Sequence, residues 1–180
     1  MCIRDSVNTD NYYASYEITN YLLKMGHENI GFVGNIYATS SIQDRFLGYC
    51  KSLLENRKKL NTEWILNDRD GNGKYIHIEL PEVFPTAIVC NCDQVAYNFI
   101  ERLKQEGIRV PEDCSIVSFD NDIYATICEP KITSVEIDTE TMARKAIELI
   151  INRLNDNEKT IDRVLVKGKI IKRDSVKKLK

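Results

Sequence analysis

The chain has 180 residues, 43% of them hydrophobic and 29% charged, with a formal net charge of −2. That length and composition suit one soluble domain with its own core. The near-neutral charge argues against a nucleic-acid-binding module, and no apolar run approaches the roughly 20 residues of a membrane span.

In chain order, residues 1–6 carry no periodic pattern and are expected to be a non-native or disordered tail. Val7 to Asn11 reads as the end of a strand running into polar residues, with Asp10 and Asn11 as N-caps. Asn11 to Met25 is predicted to be helical, with Tyr12, Tyr16, Ile18, Leu22 and Leu23 on one face and Gly26 as terminator. Asn29 to Gly34 is a short strand, and a polar loop runs from Asn35 to Ser41. Ser41 is expected to cap a second helix from about Ile42 to Asn56, with Phe46, Leu47, Cys50, Leu53 and Leu54 as its apolar stripe. Thr62 to Asn67 reads as a third strand. Asp68 to Tyr75 is a loop rich in Asp, Gly and Asn, and Ile76 to Phe84 fits neither a helix nor a strand.

Thr86 to Asn91 is a buried strand, and Asp93 is expected to cap a helix reaching Glu106 whose core side carries Val95, Ala96, Phe99, Ile100 and Leu103. Gly107 closes that helix. Pro111 keeps Val110 extended, and Cys114 to Phe119 is a short apolar run of β-friendly residues. It ends in Asp120-Asn121-Asp122, side-chain acceptors just past the carboxyl end of a strand, where open α/β sheets bind ligands. Tyr124 to Lys131 reads as loop, Ile132 to Ile137 as strand, and a helix starting at Thr139 or Thr141 reaches Asn155. Its apolar face is Met142, Ala146, Leu149, Ile150 and Leu154. Val164 to Arg173 is a last strand, and residues 176–180 are a basic, solvated tail. Strands alternating with helices predict an α/β fold, a parallel sheet with helices on both faces.

Six cysteines invite a test for metal or redox chemistry. Cys50, Cys90 and Cys114 fall inside apolar elements, where thiols act as small hydrophobes. Cys90-x-Cys92 has no second pair to complete a four-ligand zinc site. Reduced thiols, no metal and no cofactor are expected. Nor is there a G-x-G-x-x-G, a P-loop, a G-x-S-x-G or a His paired with a nucleophile, so an enzyme is not expected.

Six motifs occur in a fixed order: Asp10-Asn11 with Gly26-His27-Glu28-Asn29-Ile30-Gly31-Phe32; Arg45-Phe46-Leu47-Gly48-Tyr49; Pro85-Thr86-Ala87-Ile88 ahead of Cys92-Asp93; Val110-Pro111-Glu112-Asp113; Phe119-Asp120-Asn121; and Ile132-Thr133-Ser134-Val135. In this order the chain, from Val7 to Ser175, resembles the effector-binding domain of the lactose-repressor/galactose-repressor (LacI/GalR) family of bacterial transcription regulators. The resemblance implies a periplasmic-binding-protein-like fold, two lobes around a sugar-sized cleft. It places 7–175 as a partial effector domain, mainly the second lobe plus a first-lobe helix near 141–155. A helix-turn-helix domain that binds operator DNA would lie outside this chain. It further implies a cytoplasmic repressor, a small carbohydrate effector, and a homodimer without a membrane partner. The alternative on the same architecture is an exported sugar-binding protein of a transport system.

The resemblance also implies site residues. Arg45 matches an arginine that reaches into the cleft, and a planar fork of donors suits adjacent oxygens. Asp120 matches a carboxylate that accepts from ligand hydroxyls. Asn91 stands one residue before the family's usual amide, at Cys92; because strand side chains alternate, that shift should turn it to the other face. Tyr37 and Ser41, in the loop ahead of Arg45, are expected to line the cleft, and Ile137 stands where sugar-binding relatives carry a polar residue. His27 is expected to be structural.

Overall fold

The computed structural model describes residues 5–155 and 163–179. Two sheets of unequal size organise it. The larger has six strands in the order β3-β2-β4-β5-β6-β8: β2 Ile30–Val33, β3 Ile65–Leu66, β4 Ala87–Cys90, β5 Ser115–Asp120, β6 Thr133–Glu136 and β8 Lys169–Ile171. All neighbours are parallel except the antiparallel edge strand β8. The smaller sheet pairs β1 (Ser6–Thr9) with β7 (Arg163–Val166) in parallel.

Helices cover both faces of the large sheet. On one face lie α1 (Asn11–Lys24) and α2 (Ser40–Glu55), packing Ile18, Leu22, Tyr49 and Leu53 against Phe32, Val89, Val117 and Phe119. On the other lie α3 (Asp93–Gln105) and the short α4 (Ile123–Ile127), packing Val95, Phe99, Ile100 and Leu103 against Val33, Ile88, Cys90 and Ile116. The alternation of Ile88 and Cys90 with Ala87 and Val89 between these cores is the period-2 pattern of a strand buried on both faces. Phe32, Phe46 and Tyr49 form an aromatic triangle with centroids 5.4–6.0 Å apart, and the buried Tyr49 hydroxyl donates to the Ile30 carbonyl at 2.7 Å.

Several expected boundaries shift for identifiable reasons. The cap of α2 is Thr39, whose hydroxyl accepts from Ile42 N–H at 3.2 Å; Ser41 lies inside the first turn. The expected α2 stripe is rotated: Leu47 and Leu54 are exposed, while Arg45, Gly48, Tyr49 and Ser52 are buried. Asp93 does not cap α3. The cap position is Cys92, without a side-chain bond, and Asp93 is buried in the first turn. The third strand shortens to two residues after a 3₁₀ turn at Thr62–Trp64. From Ile76 to Phe84 the chain forms neither helix nor strand, and Ile78 anchors it to the α3 core. The single last strand expected between Val164 and Arg173 is two strands in different sheets. At the switch, Gly168 runs so close to β6 that a Cβ would lie 2.5 Å from Val135 Cγ1.

The termini also differ from expectation. Residues 1–4 and Lys180, assigned above to tails, lie outside the described residues. Asp5 pairs with Arg153 at 2.8 Å and Ser6 opens β1. Residues 176–179 dock back on the sheet: Val176 joins the α1 core, Lys177 N–H donates to Ser115, and Leu179 N–H donates to Met25. Just before them, the buried Ser175 hydroxyl donates to the Ile116 carbonyl and accepts from Thr133 N–H. His27 is wholly buried between Thr86 and the Lys177 carbonyl, at 3.1 and 3.0 Å, a structural role.

Candidate functional site

Five of the six strands of the large sheet run parallel, so their carboxyl ends meet at one edge, and the polar residues that follow β3, β4, β5 and β6 gather there. Arg45 reaches this edge from the second turn of α2. It is only 7% exposed. Its Nε donates to Asn11 Oδ1 at 2.8 Å, its Nη1 to the Asn91 carbonyl, and its Nη2 to Asp120 Oδ1 at 2.9 Å. The Phe119 ring lies 4.6 Å from the guanidinium carbon. Three of the five N–H donors are thereby engaged. Asn11, read from sequence as a cap, instead holds this arginine; Asp10 is the cap, accepting from Tyr13 N–H at 3.0 Å.

Asp120 reaches Arg45 through an unusual backbone. Its φ is +101° and that of Asn121 is +52°, conformations that cost a side-chain-bearing residue on the order of 1–3 kcal/mol. The surroundings hold the turn. Asn121 N–H donates to Ser134 at 3.1 Å and its amide to Glu136 at 3.0 Å, while Arg173 donates to its oxygen. Asp122 N–H donates to Asp93 Oδ2 at 2.8 Å. Beneath them the Asp93 carboxylate also accepts from Ser118 and, at 2.7 Å, from Ser134. Burial pushes the Asp93 carboxyl up to about 6, against the pull of those bonds.

A second group lies beyond Asn91. The Asn91 amide is buried and donates to Asp68 Oδ2 at 2.8 Å. Asp68, 1% exposed, also accepts from Asn35 N–H at 2.7 Å and takes both Nε and Nη2 of Arg69 on Oδ2 at 2.9 and 2.7 Å. Burial alone would raise the Asp68 carboxyl, but Arg69, Asn91 and Asn35 together hold it below the ordinary aspartate value. The Tyr75 ring covers Arg69 at 4.8 Å. Asp120, Arg45, Asn91, Asp68, Arg69 and Tyr75 thus form one continuous polar chain along the sheet edge. Half-buried Cys92 lies beside it; burial raises its thiol, with Arg45 and Arg69 among the groups pulling it down.

Of the sequence-predicted residues, the structure brings Arg45, Asn91 and Asp120 together. Asn91 contributes its carbonyl, its side chain being turned to Asp68. Tyr37 is 87% exposed and Ser41 is exposed; both stand at the loop and helix start leading to Arg45, and no hydrogen bond joins either side chain to the three. Asp68, Arg69, Tyr75 and Asn11 were missed. The only available signal was the Asp/Arg/Asn-rich loop after β3. Among the described residues no group of His, Cys, Asp and Glu is placed to hold a metal ion, and no helix is long and apolar enough to cross a membrane.

Comparison with known proteins places this geometry. The model of the periplasmic binding protein-like domain matches residues 19–176. The HTH-type transcriptional repressor PurR of Vibrio campbellii (strain ATCC BAA-1116) is 27% identical over 179 residues, 97% of this chain and 54% of the repressor. The chain therefore spans about half the length of the curated relatives it matches. The crystal structure of a transcriptional regulator LacI from Bacillus cereus subsp. cytotoxis NVH 391-98 superposes with a TM-score of 0.83 at 25% identity, over 98% of this chain and 64% of that one. A LacI family transcriptional regulator from Enterococcus faecium, solved with bound ribose, gives 0.81 at 21% identity, over 98% of this chain and 67% of that one.

Proposed function

Because the chain belongs to the periplasmic binding protein-like domain family, we propose that it is the larger part of the effector-sensing domain of a transcriptional repressor. On this reading Arg45 and Asp120 hold a small polyhydroxylated effector, a carbohydrate, at the edge facing a second lobe. The observation that carries the proposal is Arg45 itself. A buried guanidinium joins the strand-end carboxylate Asp120 to Asn11, the first residue after the β1 crossover from the small sheet. An effector that changes the Arg45–Asp120 contact also changes the grip on that crossover, so it can bias the arrangement of the two lobes. Effectors shift such equilibria only through differential affinity.

The named relatives support a regulator over an exported transport protein, being repressors aligned along nearly the whole chain. The ribose held by the Enterococcus faecium regulator supports a carbohydrate as the ligand class. The remaining parts of the proposal are operator binding through a separate helix-turn-helix domain, a homodimer, a cytoplasmic location, and response without chemical turnover.

The test is substitution in a protein that joins this chain to its DNA-binding domain. Arg45→Ala or Asp120→Ala is expected to abolish the response of operator binding to effector while leaving operator affinity itself within about twofold, because each removes a charge-assisted contact worth roughly 1.5–3 kcal/mol. Calorimetry showing unchanged effector affinity in both variants refutes the site.

A further inference from the structure

We propose that the effector of this site is uncharged, because every guanidinium at the carboxyl edge of the sheet is already neutralised or occupied by the protein's own acceptors. The inference rests on the site assignment above and narrows its ligand class.

A site built for a phosphorylated or carboxylated effector needs cationic donors in excess of local carboxylates, since fork donors on Arg pair with such groups two at a time. Here that capacity is occupied. Arg45 faces Asp120 at 2.9 Å. Arg69 faces Asp68 at 2.7 Å, and its guanidinium is covered by the Tyr75 ring. Arg173 is held by the Ile132 carbonyl and by Asn121 Oδ1. Around these stand Asp122, just past β5, and Glu136, whose Cα is the register partner of Asp120. The amino end of α3, which opens at this edge, carries Asp93 in its first turn and so does not present an unopposed positive dipole. Lys169, the register partner of Glu136, adds one ammonium, and Lys167 is paired with Glu17, so the carboxylates Asp68, Asp93, Asp120, Asp122 and Glu136 still outnumber the edge cations Arg45, Arg69, Arg173 and Lys169.

An anionic ligand would have to displace Asp68 or Asp120 from its arginine or sit beside an unscreened carboxylate. Either arrangement leaves a charge buried without its partner, the costly case. A neutral polyol meets no such opposition. Asp120, with its side chain 31% exposed, can accept from a hydroxyl, and Arg45 retains donors that can meet a ligand oxygen.

The test uses matched probes on the purified chain, ribose against ribose 5-phosphate and glucose against glucose 6-phosphate, followed by amide chemical shifts in NMR titrations. In at least one pair the neutral sugar is expected to bind about tenfold or more tightly than its phosphate, with shifts centred on Cys92, Asp120 and Asn121. Phosphates binding as tightly as their parents, with shifts at those same amides, overturn the uncharged effector but leave the site standing. Shifts confined to other surfaces, or none from either neutral sugar, overturn the site reading as well. Asp68→Asn provides a second arm. Releasing Arg69 is expected to move the phosphate-to-neutral affinity ratio upward by several-fold, and an unchanged ratio in a variant that keeps the wild-type spectrum elsewhere refutes the neutralising role of Asp68.

Discussion

Asp93 shows how one side chain can be legible in type and illegible in role. An acid at the start of a helical pattern reads as a cap. The fold instead buries it at the point where β5 and β6 lie side by side, so that Ser118, Ser134 and Asp122 all donate to it. That convergence depends on strand neighbours distant in sequence. Its consequence is a pH dependence with a definite sign. The folded carboxyl is raised to about 6 from an ordinary value near 3.8, so the folded state holds the proton more tightly than the unfolded chain. The stabilisation is fully present below about pH 4 and is lost as pH rises to about 6, by on the order of 2–3 kcal/mol at roughly 1.4 kcal/mol per unit. His27 acts oppositely: burial lowers its imidazole, so its contribution falls as pH drops below its unfolded value. The raw profile therefore mixes both, and the difference between wild type and Asp93→Asn isolates the carboxyl. Urea melts between pH 4 and 6.5 should show Asp93→Asn gaining on wild type as pH rises; a constant difference would sink the assignment. The motif residues Arg45 and Asp120 were readable because a short run marks each. Asp68 and Arg69 were not, because their partnership with Asn91 exists only once β3 and β4 flank β2.

At the level of elements, most of the alternating α/β pattern could be read from periodicity, and α2 shows where periodicity misleads. Its large apolar residues suggest a stripe through Leu47 and Leu54, yet both are exposed. The buried face is set by small residues. Gly48 lets α2 approach α1 so closely that a Cβ there would stand 2.0 Å from the Tyr12 carbonyl and 3.0 Å from Ser15 Cβ, and Ser52 is buried on the same face. A count of hydrophobic residues cannot see a contact made of backbone. The prediction runs against propensity. Gly to Ala inside a helix ordinarily stabilises by about 1 kcal/mol, but Gly48→Ala must push α1 and α2 apart and is expected to destabilise by roughly 1–3 kcal/mol. Thermal melting should show a fall of several degrees, about 2–4 °C for each kcal/mol in a chain of this size. A rise in the midpoint would mean that the crossing is looser than described. If Arg45 holds the effector as proposed, its place one turn before Gly48 on α2 means that the same substitution should also weaken effector binding.

On the scale of the whole molecule, the two sheets differ in what holds them. The large sheet is sandwiched between two cores, and its central strands are buried along nearly their whole length. The small unit consists of β1, β7 and α5 (Thr139–Asn155). No residue of α5 is buried, and Ile147, Ile150, Ile151 and Leu154 are each at least half exposed. Asp5 and Arg153 form a half-buried bidentate pair across it, but an ion pair taken out of water gives back most of its Coulomb gain as desolvation and does not replace an apolar core. Local opening free energy follows the apolar area that a segment buries, so the two units should report different stabilities within one chain. Native-state hydrogen exchange is the direct measure. Amides of β2, β4 and β5 should exchange only through global unfolding, following the denaturant dependence of the full transition. Amides of α5 should exchange through local openings several kcal/mol cheaper, with little denaturant dependence. If α5 is as protected as β4, the small unit has a source of stability outside the contacts described. If it is not, then on the proposed reading the purified chain presents the unit that carries Arg45 and Asp120 in a firm state and the small unit, proposed as part of the opposing lobe, in a loose one. Effector affinity for the chain is then reduced by the fraction of time the loose unit spends open. The same preparation tests that link, since adding an effector that bridges the two units should slow exchange in α5 while leaving β4 unchanged.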